Sequence, residues 1–296
     1  MPHPQLDRHA LKIKPLAQRE NKVRIERDHV APTTRPQAFS DEAAAVVDEA
    51  AGRIVAAREA GKARMLTFGA HSIKNGLSPV LIKLIEDGWI THLATNGAGI
   101  IHDWEFAFQG ESSEDVRGNV ARGEFGIWEE TGFYLNLAIN VGAYRGLGYG
   151  EAVGAFVEEE GLDIPSQGEL RAAMQNDGDC DTAAAAADLL ACVQDFGLEA
   201  GRMEVPHPYK RFGLQAAAYR LGVPFTGHPM IGHDIIYCHP MNKCAAIGRA
   251  AQRDFLAFAN NVCNLDGGVY LSIGSAVMSP MVFEKSLSMT QNLALQ

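Results

Sequence analysis

Residues 89–105 (WITHLATNGAGIIHDWE) bring together four side chains able to bond or to move protons: Asn96, His102, Asp103 and Glu105. An imidazole titrates near neutrality and suits general acid–base work. The carboxylates could relay protons or hold ribose hydroxyls. The turn Thr95-Asn96-Gly97-Ala98-Gly99 lets a ligand approach the backbone closely, and a helix start after it offers free N–H groups to an anion. The competing reading is a plain helix N-terminus with acidic residues in its first turn, which helices favour anyway. Gly97 and Gly99 alone are an incomplete dinucleotide fingerprint, because His102 stands at the third glycine position.

Three further stretches carry chemistry-bearing residues. Residues 227–240 (GHPMIGHDIIYCHP) hold His228, His233, His239 and Asp234. Zinc is one reading, but no His-x-x-x-His pair falls on one helical face and the prolines oppose a regular helix. A polar wall of an active site is the better reading, with His207 on the same rim or in a separate loop. Residues 267–276 read as a buried strand opening onto Gly274-Ser275-Ala276, suited to a phosphate or adenosine, or merely packed as a tight turn. After an earlier strand, Gly69-Ala70-His71-Ser72 leads to Lys74, which could meet a phosphate or form a Schiff base, though a solvated lysine is commoner. Cys238 beside His239 reads as an inert buried thiol more readily than as a reactive pair.

Composition sets the class. The chain has 296 residues, 47% hydrophobic and 21% charged, with 26 basic against 36 acidic residues and a net charge of −10. No dense basic stripe is present, so nucleic acid and anionic membrane surfaces are not expected partners. No run is long enough to span a bilayer. The five cysteines are scattered and unpaired in spacing, which predicts reduced thiols in a cytoplasmic protein. The N-terminus shows no secretory signal.

The elements that must position these groups follow from the alternation of apolar runs and breakers. Residues 1–40, rich in proline and charge, predict an N-terminal arm. Ser40 caps an alanine-rich helix to Ala60 that should pack on the sheet or a neighbouring subunit. A strand over 64–68, a helix over 77–86 and a second strand over 90–95 form a βαβ unit, implying parallel pairing and a right-handed crossover. Residues 112–122 predict a helix capped by Ser112 or Ser113, and 125–158 a long helical stretch broken at residues 145–150. The string GLGYGEAVG there lacks a preceding β-branched strand and reads as a helix–helix joint. Residues 161–180 read as irregular, with acidic turns at Asp177 and Asp179, and 182–196 as helix. The alternation then resumes: helix 213–221, strand 223–226, apolar 235–238, helix 245–261, strand 267–273, helix 281–294. The last helix stops inside an apolar pattern, which predicts that the natural protein continues. The whole predicts an α/β fold: a doubly wound, mainly parallel Rossmann-like sheet with helices on both faces and a helical insertion, residues 41–296 forming a single domain.

Taken together these motifs resemble the deoxyhypusine synthase-like superfamily, over roughly residues 64–106 and 213–280. In that family a strand ends in a T-x-A-G-G turn followed by acidic residues; Thr95 to Gly99 and His102-Asp103 stand in the same context. The family's D-M-I-F-F-H segment resembles Asp234-Ile235-Ile236-Tyr237-Cys238-His239, and its glycine-ended strand resembles residues 269–275. The chain stops before the family's W-G-K lysine, and Met278-Ser279-Pro280 replaces its double histidine, so deoxyhypusine synthesis itself is not expected. Asn96 to Glu105 is also similar to the N-A-x-A-x-H-D-I-E stretch of NAD-dependent ornithine cyclodeaminases.

The resemblance implies bound NAD, a homo-oligomer (a tetramer) with sites at subunit interfaces, and transient oxidation of a small amine or amino acid in a transferase- or cyclodeaminase-type reaction. It implies Thr95, Asn96, Gly97, Gly99, Glu105, Gly274 and Ser275 around the cofactor. His102, Asp103, Asp234 and His239 would then be catalytic, and His233 and Lys74 would face the substrate. Two other classes stand beside it: a metal-dependent hydrolase built on the histidines of 228–239, and a non-catalytic nucleotide-binding oligomer.

Overall fold

A computed structural model describes residues 3–36, 38, 40–175 and 179–294. The strands are β1 (Val23–Arg24), β2 (Arg64–Phe68), β3 (His92–Thr95), β4 (Glu111–Ser112), β5 (Gly161–Ile164), β6 (Gly201–Glu204), β7 (Phe225–Gly227) and β8 (Val269–Ile273). The helices begin with α1 (Ile25–Asp28), α2 (Asp41–Glu59), α3 (Ala70–Lys74), α4 (Ser78–Glu86), α5 (Gly97–Gln109), α6 (Val116–Arg122) and α7 (Glu129–Tyr144). They continue with α8 (Tyr149–Glu159), α9 (Gln167–Met174), α10 (Cys180–Phe196), α11 (Leu214–Leu221), α12 (Cys244–Val262) and α13 (Met278–Ala294). Among the described residues no helix is long and apolar enough to cross a membrane.

Four strands form an all-parallel sheet in the order β7-β3-β2-β8. Every residue of β2 is buried, as expected where helices cover both faces. Its pleat divides them. Leu66 and Phe68 enter the large core with residues of α4, α5, α7 and α8, while Met65 joins Phe258 and Val262 of α12 and Phe283 of α13. The fold is thus α/β with helices flanking a parallel sheet, and residues 111–221 supply the helical insertion between β3 and β7.

The winding fixes where a ligand fits. From β2 the chain steps to β3 and then β7 on one side, and β8 returns to the opposite side of β2. The strand order therefore reverses between β2 and β8, and open α/β sheets bind ligands outside the carboxyl ends of strands at such a reversal. Gly69 and Gly274 stand at those ends. The Gly69 N–H donates to Ile273 O at 2.9 Å, and a Cβ on Gly69 would lie 1.9 Å from Gly274 O.

Several local expectations change. Residues 112–115 are not helical: Ser112 pairs with Val23 in a short antiparallel ladder, Ser113 takes φ 75°, and the helix begins only at Val116, capped by the Asp115 carboxylate. Residues 161–174 are ordered into β5, which pairs with β6, and α9, which carries a Ser166–Glu169 capping box. Asp177 lies outside the described residues. Residues 145–148 do join α7 to α8 as a helix–helix corner. The segment before α2 places Leu16, Arg19 and Ile25 in the interior. Only Ala57 of α2 is buried.

Close packing predicts opposite signs for two glycine substitutions. In α8, a Cβ on Gly150 would meet Phe225 O at 2.2 Å, a backbone atom that cannot swing away. Gly150→Ala is expected to cost ~1–3 kcal/mol of overpacking, outweighing the ~1 kcal/mol that helix propensity returns. Gly52 in α2 has nothing within 4 Å, so Gly52→Ala should stabilise by ~0.5–1 kcal/mol. Urea midpoints that move in the same direction for both would contradict this packing.

Candidate active site

Two cavities adjoin at the carboxyl edge of the sheet. The larger, about 570 Å³, lies at the β2–β8 reversal, lined by Gly69, Asn96, Gly97, His228, Gly274 and Ser275 among others. The smaller, about 180 Å³, is lined by Arg19, Lys74, His102, Glu105, Glu114 and Phe125 among others. Ala98, His233 and Asp234 line both. The cavities therefore meet at one carboxylate.

The floor of the larger cavity is backbone. The Asn96 side chain accepts from Gly99 N at 3.0 Å and caps α5, so the start of a 13-residue helix faces the cleft with N–H groups that have no partner within the helix. Gly274 has φ 63°, the left-handed region that a side chain resists. Ser275 Oγ accepts from Ser279 N at 3.1 Å in the first turn of α13. On the β7 side, His228 Nε2 lies 3.0 Å from Thr226 Oγ1, and burial pushes its pKa down to about 4. It is a neutral ring.

The smaller cavity has a polar wall anchored by charge. Arg19 donates to both oxygens of Glu105 at 2.7 and 2.6 Å, and both side chains are 1% exposed. Burial alone would raise the Glu105 carboxyl, but the Arg19 guanidinium holds it below the ordinary range. Thr131 Oγ1 donates to Glu105 Oε1 at 2.9 Å. Ser112 Oγ bonds Glu105 Oε2 at 2.5 Å and His102 Nδ1 at 2.7 Å. Glu114 is held by Asn119, Gly126 N and Trp128 Nε1. Among the described residues Lys74 has no ion-pair partner, and it lines this cavity.

Asp234 is 6% exposed. Its Oδ2 has no hydrogen-bond partner among the described residues, and Oδ1 lies 3.7 Å from His233 Nδ1. Burial, opposed by His233, pushes its carboxyl up to about 6. Its carboxylate sits where a Cβ on Gly97 would be, 2.1 Å away. Gly97 is thus glycine to admit Asp234 beside the start of α5.

The expected residues separate into two sets. Asn96, Gly97, Gly274 and Ser275 line the larger cavity, Lys74, His102 and Glu105 the smaller, and His233 and Asp234 both. Thr95, Gly99, Asp103 and His239 line neither. Thr95 Oγ1 donates to Phe68 O at 2.8 Å beneath the turn, and a Cβ on Gly99 would be 2.3 Å from that hydroxyl. Asp103 accepts from Leu214 N, Gln215 N and Gln215 Nε2 at 2.9–3.1 Å, capping α11. His239 accepts from Met241 N at 3.0 Å, approaches Glu129 at 3.4 Å and stacks on Phe196. Among the described residues no group of three or more His, Cys, Asp or Glu could hold a metal ion, so His228, His233 and His239 do not converge. Arg19, Glu114 and Thr131 carried no signal of their own in the sequence, and Ser112 read only as a helix cap.

No protein-family model and no curated protein matches the chain. Among solved structures it is similar to ArgZ, an arginine dihydrolase from the ornithine–ammonia cycle in cyanobacteria, at 13% identity and a TM-score of 0.40. It is also similar to AgrE in a ternary complex with ornithine and NAD+, at 15% identity and a TM-score of 0.40. Each likeness covers 85% of this chain, which spans only 26% and 27% of those two chains respectively. A LOR/SDH protein from Methanococcus maripaludis S2 is similar at 12% identity and a TM-score of 0.31, over 88% of this chain and 74% of that one. Likenesses at this level carry no inference to activity.

The buried pair makes a stability prediction. Arg19→Met leaves the Glu105 charge buried without its partner, so unfolding free energy should fall by ~3–5 kcal/mol. Adding Glu105→Gln should recover part of that loss. A single variant as stable as the wild type in urea titration would contradict the ion pair.

Proposed function

We propose that the chain is an NAD-dependent enzyme that oxidises a small amine or amino acid. The observation that carries this reading is the junction: a cavity at the strand-order reversal opens beside a small, largely apolar cavity that Lys74, His102 and Glu105 also line, and Asp234 belongs to both. The larger volume suits a cofactor, and the open backbone at Gly274, where a Cβ would meet nothing within 4 Å, suits the close approach of a pyrophosphate. The sequence resemblance points to the same cofactor. The smaller volume suits a molecule of amino-acid size.

NAD, when bound, supplies the acceptor for a hydride leaving the carbon of a C–N bond. The residues of the chain do the rest. Lys74, with no ion-pair partner among the described residues, attracts a substrate carboxylate. Asp234, when ionised, holds the substrate ammonium at the edge of the cofactor cleft. His102 accepts a proton from the nitrogen, so that loss of hydride from carbon and proton from nitrogen turns C–N into C=N. Whatever follows, whether addition of a second amine or loss of ammonia in a transferase- or cyclodeaminase-type step, begins from that species. Assembly as a homotetramer belongs to the same proposal.

Calorimetric titration with NAD tests the cofactor, and a panel of amines and amino acids followed by NADH absorbance tests the chemistry. No NAD binding would overturn the reading; binding without turnover would favour a non-catalytic nucleotide-binding oligomer. Zinc-dependent hydrolysis, abolished by a chelator, would favour the hydrolase, which the scattered histidines do not support.

Two predictions follow from the geometry. Gly69→Ala drives a Cβ into Gly274 O, and ~1–3 kcal/mol of overpacking at the cleft floor should weaken NAD binding ~5- to 150-fold. The carboxyl of Asp234, raised by burial to about 6, carries a proton below that pH and no longer holds an ammonium. kcat/KM should therefore fall as pH drops through about 6, and Asp234→Asn should be impaired at every pH without that step. A flat wild-type profile across this range would contradict the role of Asp234.

A further inference from the structure

The side chains behind His102 determine more than its position. Glu105 is clamped by two Arg19 N–H groups at 2.7 and 2.6 Å, so it is ionised and can only accept hydrogen bonds. Ser112 Oγ lies 2.5 Å from Glu105 Oε2. A hydroxyl has one proton, and here it is spent on the carboxylate. Toward His102 Nδ1, at 2.7 Å, Ser112 then has only lone pairs to offer. Nδ1 must carry a hydrogen.

We propose that Ser112 is a positioning residue that fixes His102 as the neutral Nδ1–H tautomer, leaving Nε2 of the ring bare as the proton acceptor of the smaller cavity. The chain Glu105–Ser112–His102 places a fixed negative charge two hydrogen bonds behind the base. That charge stabilises the imidazolium formed when Nε2 takes a proton. Burial lowers the His102 pKa, Glu105 raises it, and Lys74, Arg19 and His71 lower it further. Glu114, His233 and Asp234 face the same cavity. Ser112 is itself fixed at both ends of the N-terminal segment's contact. It pairs with Val23, and Ser113 beside it accepts from Lys22 N at 2.8 Å.

The hydrogen on Nδ1 stands on the hydrogen-bond geometry and the neutral state of the ring on its burial; its use as a base rests on the proposed function. Nitrogen NMR of the full chain, labelled on histidine and free of ligand, reads the first without the second. The His102 signals, assigned by their loss in His102→Gln, should show a protonated Nδ1 and a bare Nε2 near neutral pH. Ser112→Ala should move the ring toward the Nε2–H form, and Ser112→Thr, which keeps the hydroxyl, should restore Nδ1–H. An Nε2–H ring or an imidazolium in the wild type would overturn the proposal, as would a spectrum unchanged by Ser112→Ala. If Ser112→Ala fails to fold, the wild-type and Ser112→Thr spectra decide alone. In turnover, Ser112→Ala should lower kcat ~10²-fold, the low end of what a positioned proton acceptor contributes, with NAD affinity unchanged. Should NAD fail to bind while the tautomer is as stated, the functional reading falls and this one remains.

Discussion

The structure depends on one buried ion pair, Arg19 with Glu105. Taking two charges out of water costs several kcal/mol per ion, and only good geometry with further hydrogen bonds offsets it. Both conditions hold: the pairing is bidentate, Thr131 and Ser112 complete the carboxylate, and Arg19 Nε bonds Asn21 at 2.8 Å. An apolar pair of similar volume would hold the N-terminal segment to α5 with less penalty. Such a pair would not hold Ser112 and, through it, His102. The polar wall of the smaller cavity exists because the pair is charged.

Three buried aspartates show how environment sorts one residue type into different roles. Asp103 accepts three N–H bonds and caps α11. Asp254 accepts from Gly150 N and Gly227 N at 2.9 and 2.6 Å, tying α8 to the end of β7. Both are structural. Asp234 has an oxygen with no partner among the described residues, although burial raises all three carboxyls, to about 6, 7 and 6 for Asp103, Asp254 and Asp234 respectively. A raised pKa alone does not distinguish them. The missing hydrogen bond at the meeting of two cavities does.

The sheet was largely legible because its strands are short apolar runs punctuated by glycine, and that pattern survives without tertiary context. Of the residues singled out after β3, β7 and β8, Asn96, Gly97, His102, Glu105, His233, Asp234, Gly274 and Ser275 line the two cavities. Less legible was everything decided by contacts distant in sequence. Nothing in a proline-rich, charged N-terminal stretch marks Arg19 as the partner of a glutamate 86 positions later. The pairing of β1 with β4 overrides the helix signal at Ser112 in the same way. Asp103 and Glu105 look alike in the sequence, two residues apart on one helix, yet they point to different neighbours. One meets the backbone of α11 and the other a guanidinium.

The glycines after β3 show how a motif can lie in the right place for a different reason. Read alone, Gly97-Ala98-Gly99 suggests a backbone bared for a phosphate. In the structure the space a Cβ would fill at Gly97 holds the carboxylate of Asp234, and at Gly99 the hydroxyl of Thr95. These glycines admit the protein's own side chains. The backbone contact that belongs to the cleft is instead Gly69 against Gly274, where β2 and β8 part. The turn after β3 therefore acts chiefly by seating Asp234 against the start of α5. The proposed cofactor floor is built by the strands on either side of the reversal, so a carboxylate and a cofactor can meet at one edge without competing for the same backbone.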